Sequence, residues 1–139
     1  RQDEISSLSA ILLNDAYYRF LTNGLTVIDG IQTLNYTHII PFKAKAWLDL
    51  KERRNNGESV DKKNIDKHKR DVFRLSQLLT DNDHIEPGDE ICEDLKRFIN
   101  EMSEEDIILK DIGVSGTKEE ILEILKKVYL QTEKELLNV

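Results

Sequence analysis

The sequence predicts a mainly α-helical fold with one small β-hairpin. Apolar residues recur at intervals of three and four over most of the chain, which indicates amphipathic helices. An Asp29-Gly30 dipeptide separates two short β-rich runs, and the 139 residues include only six Gly and two Pro. We expect residues 1–80 to form a helix, the hairpin and a helix pair, and residues 81–139 to form a helical extension packed as part of the same domain.

The N-terminal part is predicted to contain a helix followed by the hairpin. A helical apolar pattern runs from Ser6 to Leu21, with Asn14-Asp15 as a candidate interruption. The strands flank Asp29-Gly30, and a two-residue loop between them would pair Thr26 with Thr33. It would likewise pair Leu25 with Leu34. A two-stranded ribbon is only marginally stable in water, so we expect it to pack on the helices of this chain or to extend a sheet outside it.

The helix pair follows. Its first helix is expected to begin near Thr37 or Pro41, because Thr is a good N-cap and Pro is tolerated in a first turn, and to end near Arg54. The second is expected to run from Asp61 or Asn64 to Leu79.

The C-terminal part should contain two further helices. One is predicted from Pro87-Gly88 to about Met102, and a loop is expected around Gly113–Gly116. The last helix should begin at Thr117, because Thr117-Lys-Glu-Glu120 has the form of a capping box.

Composition excludes several classes of protein. No apolar run approaches the 18 residues that a membrane span needs, and the N-terminal residues do not resemble a signal peptide, so we expect a cytoplasmic protein without a membrane partner. Cys92 is the only cysteine, so neither an internal disulfide nor a thiolate zinc site can form, and its apolar helical stripe favours a buried thiol. The three histidines lack the spacing of a metal-binding pair, and we assign no metal ligand.

The charge is unevenly distributed. The net charge is −7, yet residues 43–74 contain 11 Lys and Arg against six Asp and Glu. A local charge of +5 inside an acidic chain is typical of a segment that contacts an anionic partner.

Lys43 and Asp71 are the strongest candidates for a functional site. Lys43 falls on the stripe of Ile39, Ala46 and Leu50 that should face the core, and Asp71 aligns with Leu75 and Leu78 on the next helix. Consecutive helices joined by a short connector pack antiparallel, which would bring the two charges together as an ion pair or beside a phosphate pocket.

The pattern alone favours a structural interpretation. Lys43 could extend its aliphatic stem over apolar surface while its amine reaches water, and Asp71 could be a simple helix-face carboxylate. Lys45 lies on the opposite side of its helix at a spacing that suits a surface ion pair with Asp49. Trp47 and Phe73 are expected in the core.

The run from His38 to Leu50, with Lys43 and Ala46, and the later run His68-Lys-Arg-Asp71-Val-Phe-Arg-Leu75 resemble motifs of the AbiEii/AbiGii toxin family of nucleotidyltransferases. The resemblance covers residues 4–79. It implies that Lys43 and Asp71 serve an active site, where Lys43 neutralises triphosphate charge and Asp71 orients that lysine or a substrate group. Lys45, His68 and Arg70 would assist substrate binding.

The resemblance also implies a parent protein that transfers a nucleotide from a nucleoside triphosphate, with magnesium, to a tRNA or protein acceptor, often beside an antitoxin protein. The Gly-Ser motif and the acidic metal-binding pair of that family are absent from this sequence, so the chain alone should be inactive and hold no cofactor. The alternative is a non-catalytic helical module that binds RNA, an antitoxin or another protein through the basic segment.

Overall fold

A computed structural model describes residues 9–131. Over that range the chain is mainly α-helical with a two-stranded antiparallel hairpin, which confirms the predicted fold class. In chain order the elements are α1 (Asp15–Asn23), β1 (Leu25–Ile28), β2 (Ile31–Leu34), α2 (Tyr36–Asn55), α3 (Lys62–Ser76), α4 (Asp89–Glu104), a short 3-10 helix (Leu109–Ile112) and α5 (Lys118–Tyr129).

The described residues form two compact units. The first ends at Val72 and the second begins at Phe73. The sequence places its boundary at residue 80, in the loop after the helix pair, whereas the two units divide inside α3.

Helix α1 begins at a side-chain cap. The Oδ1 atom of Asn14 accepts hydrogen bonds from the backbone N–H of Ala16 at 2.9 Å and of Tyr17 at 3.3 Å. Residues 9–12 form a separate helical segment before this cap. The predicted interruption at Asn14-Asp15 is therefore confirmed, because the Asn14 side chain starts a new helix. The expected helix start at Ser6 lies outside the described residues.

The hairpin has the predicted register. Leu25 pairs with Leu34 and Thr26 with Thr33. Both turn residues have positive φ, 52° at Asp29 and 78° at Gly30, as a type I′ turn requires. The hairpin was expected either to pack on the helices of this chain or to extend a sheet outside it. The first expectation is not met. Seven of its eight strand residues are exposed, and Val27 is 71% exposed.

Helix α2 is the longest described helix and starts earlier than one expectation placed it. It begins at Tyr36, so the expected start near Thr37 is confirmed, but its N-cap is not Thr37: it is Asn35, whose Oδ1 accepts from the Thr37 N–H at 2.9 Å. Pro41 lies beyond the first turn, so the alternative start at Pro41 is also wrong. Because proline has no N–H, its position removes one helical hydrogen bond but leaves the buried ring in the core.

Buried residues occupy much of the circumference of α2. At 100° per residue they span roughly 220° of the helix, so α2 is the core of the first unit rather than a one-sided amphipathic helix. The buried residues are Thr37, Ile40, Pro41, Ala44, Ala46, Trp47, Leu48 and Leu50.

Helix α3 is shorter than predicted. It ends at Ser76, and Gln77 and Leu78 form a turn, so the expected continuation to Leu79 is wrong. Leu78 is exposed in that turn and does not extend the apolar stripe. The start agrees with the prediction, because the Oδ1 of Asp61 accepts from the Lys63 N–H at 2.9 Å.

The second unit is built on α4 and α5. Helix α4 starts after Gly88, and Thr117 and Glu120 form the capping box predicted for α5. The 3-10 helix at Leu109–Ile112 lies where the sequence indicates only a loop. Its end is marked by Gly113 in the left-handed conformation, with φ 74°. The core residues of this unit include Ile91, Leu95, Phe98, Met102, Leu109, Val114, Leu125, Val128 and Tyr129.

Gly24 lies against His38, at the junction of α1, the hairpin and α2. A Cβ atom at position 24 would overlap the Cγ of His38 and lie 2.6 Å from its Cβ. The imidazole is held in place because it stacks on Phe20 at 4.5 Å between ring centroids and its Nδ1 lies 2.9 Å from the Thr37 hydroxyl. The hydroxyl donates its hydrogen to Asn35 Oδ1, so Nδ1 is the donor to the hydroxyl oxygen.

We expect Gly24→Ala to lower the free energy of unfolding by about 1–3 kcal/mol, because the added methyl group overpacks this junction. Urea denaturation of the wild type and the variant measures it. In a His38→Ala background the same glycine substitution should cost much less, since the overlapping ring is gone. Equal costs in the two backgrounds would show that the contact does not limit position 24.

Burial lowers the pKa of His38 below its ordinary value of 6.5. The unfolded chain therefore binds a proton at this site at a higher pH than the folded chain does. The stability contribution of neutral His38 is complete above pH 6.5 and is lost as the pH falls from 6.5 through the folded-state pKa.

We expect the wild type to lose more stability than His38→Gln between pH 7 and pH 5. Denaturation at a series of pH values gives the difference, and comparing the two proteins removes the contributions of all other titrating groups. Parallel pH profiles would contradict the expectation.

Candidate functional site: the Lys43–Asp71 ion pair

The structure brings Lys43 and Asp71 together within the first unit. The Lys43 Nζ lies 3.0 Å from the Asp71 Oδ2, and the two side chains are 22% and 24% exposed. Lys43 belongs to α2 and Asp71 to α3, so the ion pair joins the two consecutive helices. The predicted proximity of the two residues is confirmed.

The surroundings of Lys43 explain why its charge needs a partner. By helical geometry its direction from the α2 axis lies between those of Leu50 and Trp47, which are both buried. A lysine in such a position can expose only the end of its side chain, and an ammonium withdrawn from water is costly unless it is paired. The sequence prediction that Lys43 shares the core-facing side of α2 is confirmed.

Asp71 lies at the margin of the buried side of α3. His68 precedes it by three residues and is fully buried, and Val72 follows it and is also buried. Asp71 itself keeps about a quarter of its side chain exposed, so water can reach the ion pair from one side. This geometry resembles a charged group at the rim of a core rather than a pair sealed inside it.

The remaining predicted site residues differ in direction and in exposure. Lys45 points to the other side of α2, where its Nζ lies 5.7 Å from the centre of the Tyr17 ring. This lysine is partly buried against an aromatic ring, so the expectation of a solvated surface lysine needs that correction. His68 is fully buried and presents no surface to a dissolved ligand, whereas Arg70 is exposed on α3.

Two concave surfaces lie in the second unit, and no predicted site residue lines either of them. The larger, of about 900 Å³, is lined by residues 105–110 and 113–119, and the smaller, of about 590 Å³, lies between α4 and α5. Acidic side chains, Glu105, Asp106 and Glu119, contribute to the larger one. Sequence reasoning identified neither, and its one signal was the loop expected at Gly113–Gly116.

Metal-binding and thiol chemistry find no support in the described part of the chain. Among residues 9–131, no group of three or more His, Cys, Asp or Glu could hold a metal ion. Cys92 is half-buried, its Sγ lies 3.6 Å from the Tyr129 carbonyl oxygen, and burial raises the pKa of its thiol. A raised thiol pKa disfavours the nucleophilic thiolate. The expected burial of Cys92 is met only in part, since the residue is half-exposed.

No family model, curated protein sequence or solved structure matches the chain. None of the described helices has the length and apolar character needed to cross a membrane.

We expect the Lys43–Asp71 pair to contribute more to stability than an exposed pair does. A double-mutant cycle with Lys43→Met and Asp71→Asn should give a coupling energy of about 1 kcal/mol, because the pair is largely withdrawn from water. The Lys96–Glu93 pair on α4 is a matched control: its atoms lie 3.2 Å apart, but its side chains are 58% and 73% exposed.

The control cycle, with Lys96→Met and Glu93→Gln, should give only a few tenths of a kcal/mol. Both cycles are measured by urea denaturation at low and high salt. A Lys43–Asp71 coupling no larger than the control would show that the pair behaves as an ordinary surface contact.

Proposed function

We propose that the chain is the helical C-terminal part of a nucleotidyltransferase and that Lys43, oriented by Asp71, binds the triphosphate of the nucleotide substrate. The observation that carries the proposal is the 3.0 Å ion pair on two consecutive helices, formed by the two residues that the motif resemblance selects. In the transferase, an acceptor oxygen attacks the α-phosphorus of the nucleoside triphosphate, and pyrophosphate leaves.

The geometry suits such a role for Lys43. An ammonium group has three N–H donors, so one can remain on Asp71 while the others donate to phosphate oxygens. The carboxylate limits the rotation of the long lysine side chain, which reduces the conformational entropy lost when a phosphate binds. The exposed end of Lys43 gives a ligand access to the ammonium from the solvent side.

The hairpin offers independent support. Its two strands have apolar residues on both faces, including Val27, Ile28 and Ile31, all exposed. An isolated ribbon of this kind is only marginally stable in water, so it is suited to pair with further strands of a larger sheet. In the proposed enzyme these strands extend the catalytic sheet, and the acceptor is a tRNA or a protein.

Magnesium would bind outside the described residues, since they hold no suitable group of ligands. In such enzymes the metal supplies charge neutralisation at the phosphates. A Gly-Ser dipeptide followed by spaced acidic residues in the gene, upstream of the codon for Arg1, would support the proposal. An upstream region without acidic residues at such a spacing would count against it.

The decisive experiment is nucleotide transfer by the intact gene product. We expect Lys43→Ala to reduce the transfer of radiolabelled nucleotide by about 100-fold or more, because a charge that stabilises the transition state is lost. Asp71→Asn should produce a smaller loss, since it leaves the ammonium present but less well oriented. The measurement is the initial rate with each of the four nucleoside triphosphates.

Lys96→Ala is the control, since it removes an exposed lysine with an ion-pair partner on α4. It should transfer nucleotide at the wild-type rate. Wild-type transfer by a folded Lys43→Ala protein would remove the role assigned to Lys43. Absence of transfer by the wild-type gene product with all four nucleotides would overturn the proposed function.

A further inference from the structure

Helix α3 has a uniformly basic exposed surface. Every residue of α3 that is exposed is a lysine or an arginine, and its other residues are buried or half-buried. The exposed residues are Lys62, Lys63, Lys67, Arg70 and Arg74. The charge asymmetry seen in the sequence is therefore concentrated on one surface of one helix.

Within the first unit these cations form a line. Lys63, Lys67 and Arg70 are spaced by four and three residues, which places them on one side of α3 over a length of about 10 Å. We call these three residues the basic stripe. Lys62 is also exposed but lies about 100° around the helix from Lys63, outside the stripe.

Three acidic residues lie in or next to α3: Asp61, Asp66 and Asp71. Asp61 accepts from the Lys63 backbone N–H, and Asp71 pairs with Lys43. Asp66 and Asp71 each adjoin a stripe residue in sequence, and both are half-buried. The five exposed cations of α3 outnumber these two carboxylates, and charges beyond about 8 Å are largely screened at physiological salt, so the exposed surface of α3 has a net positive charge.

The chemistry of the exposed surface distinguishes among anionic partners. A helix that binds a membrane surface inserts exposed apolar side chains, whereas the apolar residues Ile65, Val72 and Phe73 of α3 are buried in the core. The helix likewise exposes no aromatic ring that could stack on an unpaired base. What remains is a row of cations at helical spacing, which suits the phosphates of a nucleic-acid backbone.

We propose that the basic stripe of α3 binds the phosphate backbone of double-helical nucleic acid without reading its sequence. The inference depends on the exposed surface of α3 and not on nucleotide transfer, so either proposal can fail while the other holds. Lysine and arginine contacts with phosphates release condensed counterions, and the affinity therefore falls steeply as salt rises.

The test uses the whole chain with fluorescein-labelled helices of one sequence, an RNA duplex and a DNA duplex. Fluorescence anisotropy at several salt concentrations gives the slope of log affinity against log salt. We expect the triple variant Lys63→Gln, Lys67→Gln, Arg70→Gln to reduce the magnitude of that slope by about 2 to 3, close to one for each lost phosphate contact. It should also bind at least roughly ten-fold more weakly at low salt. Circular dichroism should show an unchanged fold, since all three positions are exposed.

A control variant removes the same number of positive charges as the triple variant, but from the second unit. Lys110→Gln, Lys126→Gln, Lys127→Gln replaces three exposed lysines of the second unit and should keep the wild-type slope. The proposal is supported if the chain binds one or both duplexes and only the stripe variant has a reduced salt slope. Comparing the two duplexes shows whether A-form RNA is preferred. Undetectable binding of both duplexes at low salt, an equal loss in the control, or stripe-dependent binding of anionic phosphatidylserine vesicles in place of the duplexes would overturn it.

Discussion

The first unit depends on the burial of α2. A helix that is enclosed over more than half of its circumference cannot place all its polar side chains in water, and α2 carries several lysines, arginines and acidic residues among its apolar ones. Each of these charged side chains must extend its polar end to the solvent or interact with a partner group. Lys51 lies over the Trp47 ring at 4.9 Å, Lys45 lies over Tyr17, and Lys43 meets a carboxylate.

The Lys43–Asp71 pair is the one among these contacts that joins two helices through opposite charges. The energetic cost of burying this pair and its suitability for binding a phosphate have the same cause. Because both groups are withdrawn from water, either charge is unfavourable without the other. The pair therefore fixes the lateral position of α3 against α2. The same restriction holds the ammonium in one place, which is the condition for recognising a phosphate at low entropic cost.

The sequence predicted those parts of the fold that depend on local chemistry. The type I′ hairpin follows from Asp29-Gly30, and the α5 cap follows from the spacing of Thr117 and Glu120. Helical periodicity was sufficient to place Lys43 and Asp71 on facing sides of consecutive helices. The choice of Asn35 over Thr37 as N-cap was not predictable, because both residue types cap helices and tertiary packing decides between them.

Other features depend on tertiary packing, which local patterns in a single sequence do not predict. No local pattern in the sequence indicates the burial of His68, but the core of the first unit encloses it completely. The end of α3 at Ser76 could not be predicted, because the apolar residues Leu78 and Leu79 continue the helical pattern beyond the helix itself. The concave surface near the 3-10 helix is lined in part by the loop that contains Gly113, and the sequence predicts this loop but not its shape.

The exposed hairpin has a consequence for how the chain behaves at high concentration. Two short strands with apolar residues on both faces present backbone N–H and C=O groups along each outer edge, where a strand from another molecule can pair. Gly30 and Asp29 close one end tightly, and the Asn35 N–H donates to the Gly24 carbonyl at 2.9 Å at the other, so the ribbon stays formed and ready to pair. Its four-residue strands limit any such template to about 13 Å. Self-association through this ribbon should therefore grow with protein concentration, and a lysine on its exposed face would oppose it.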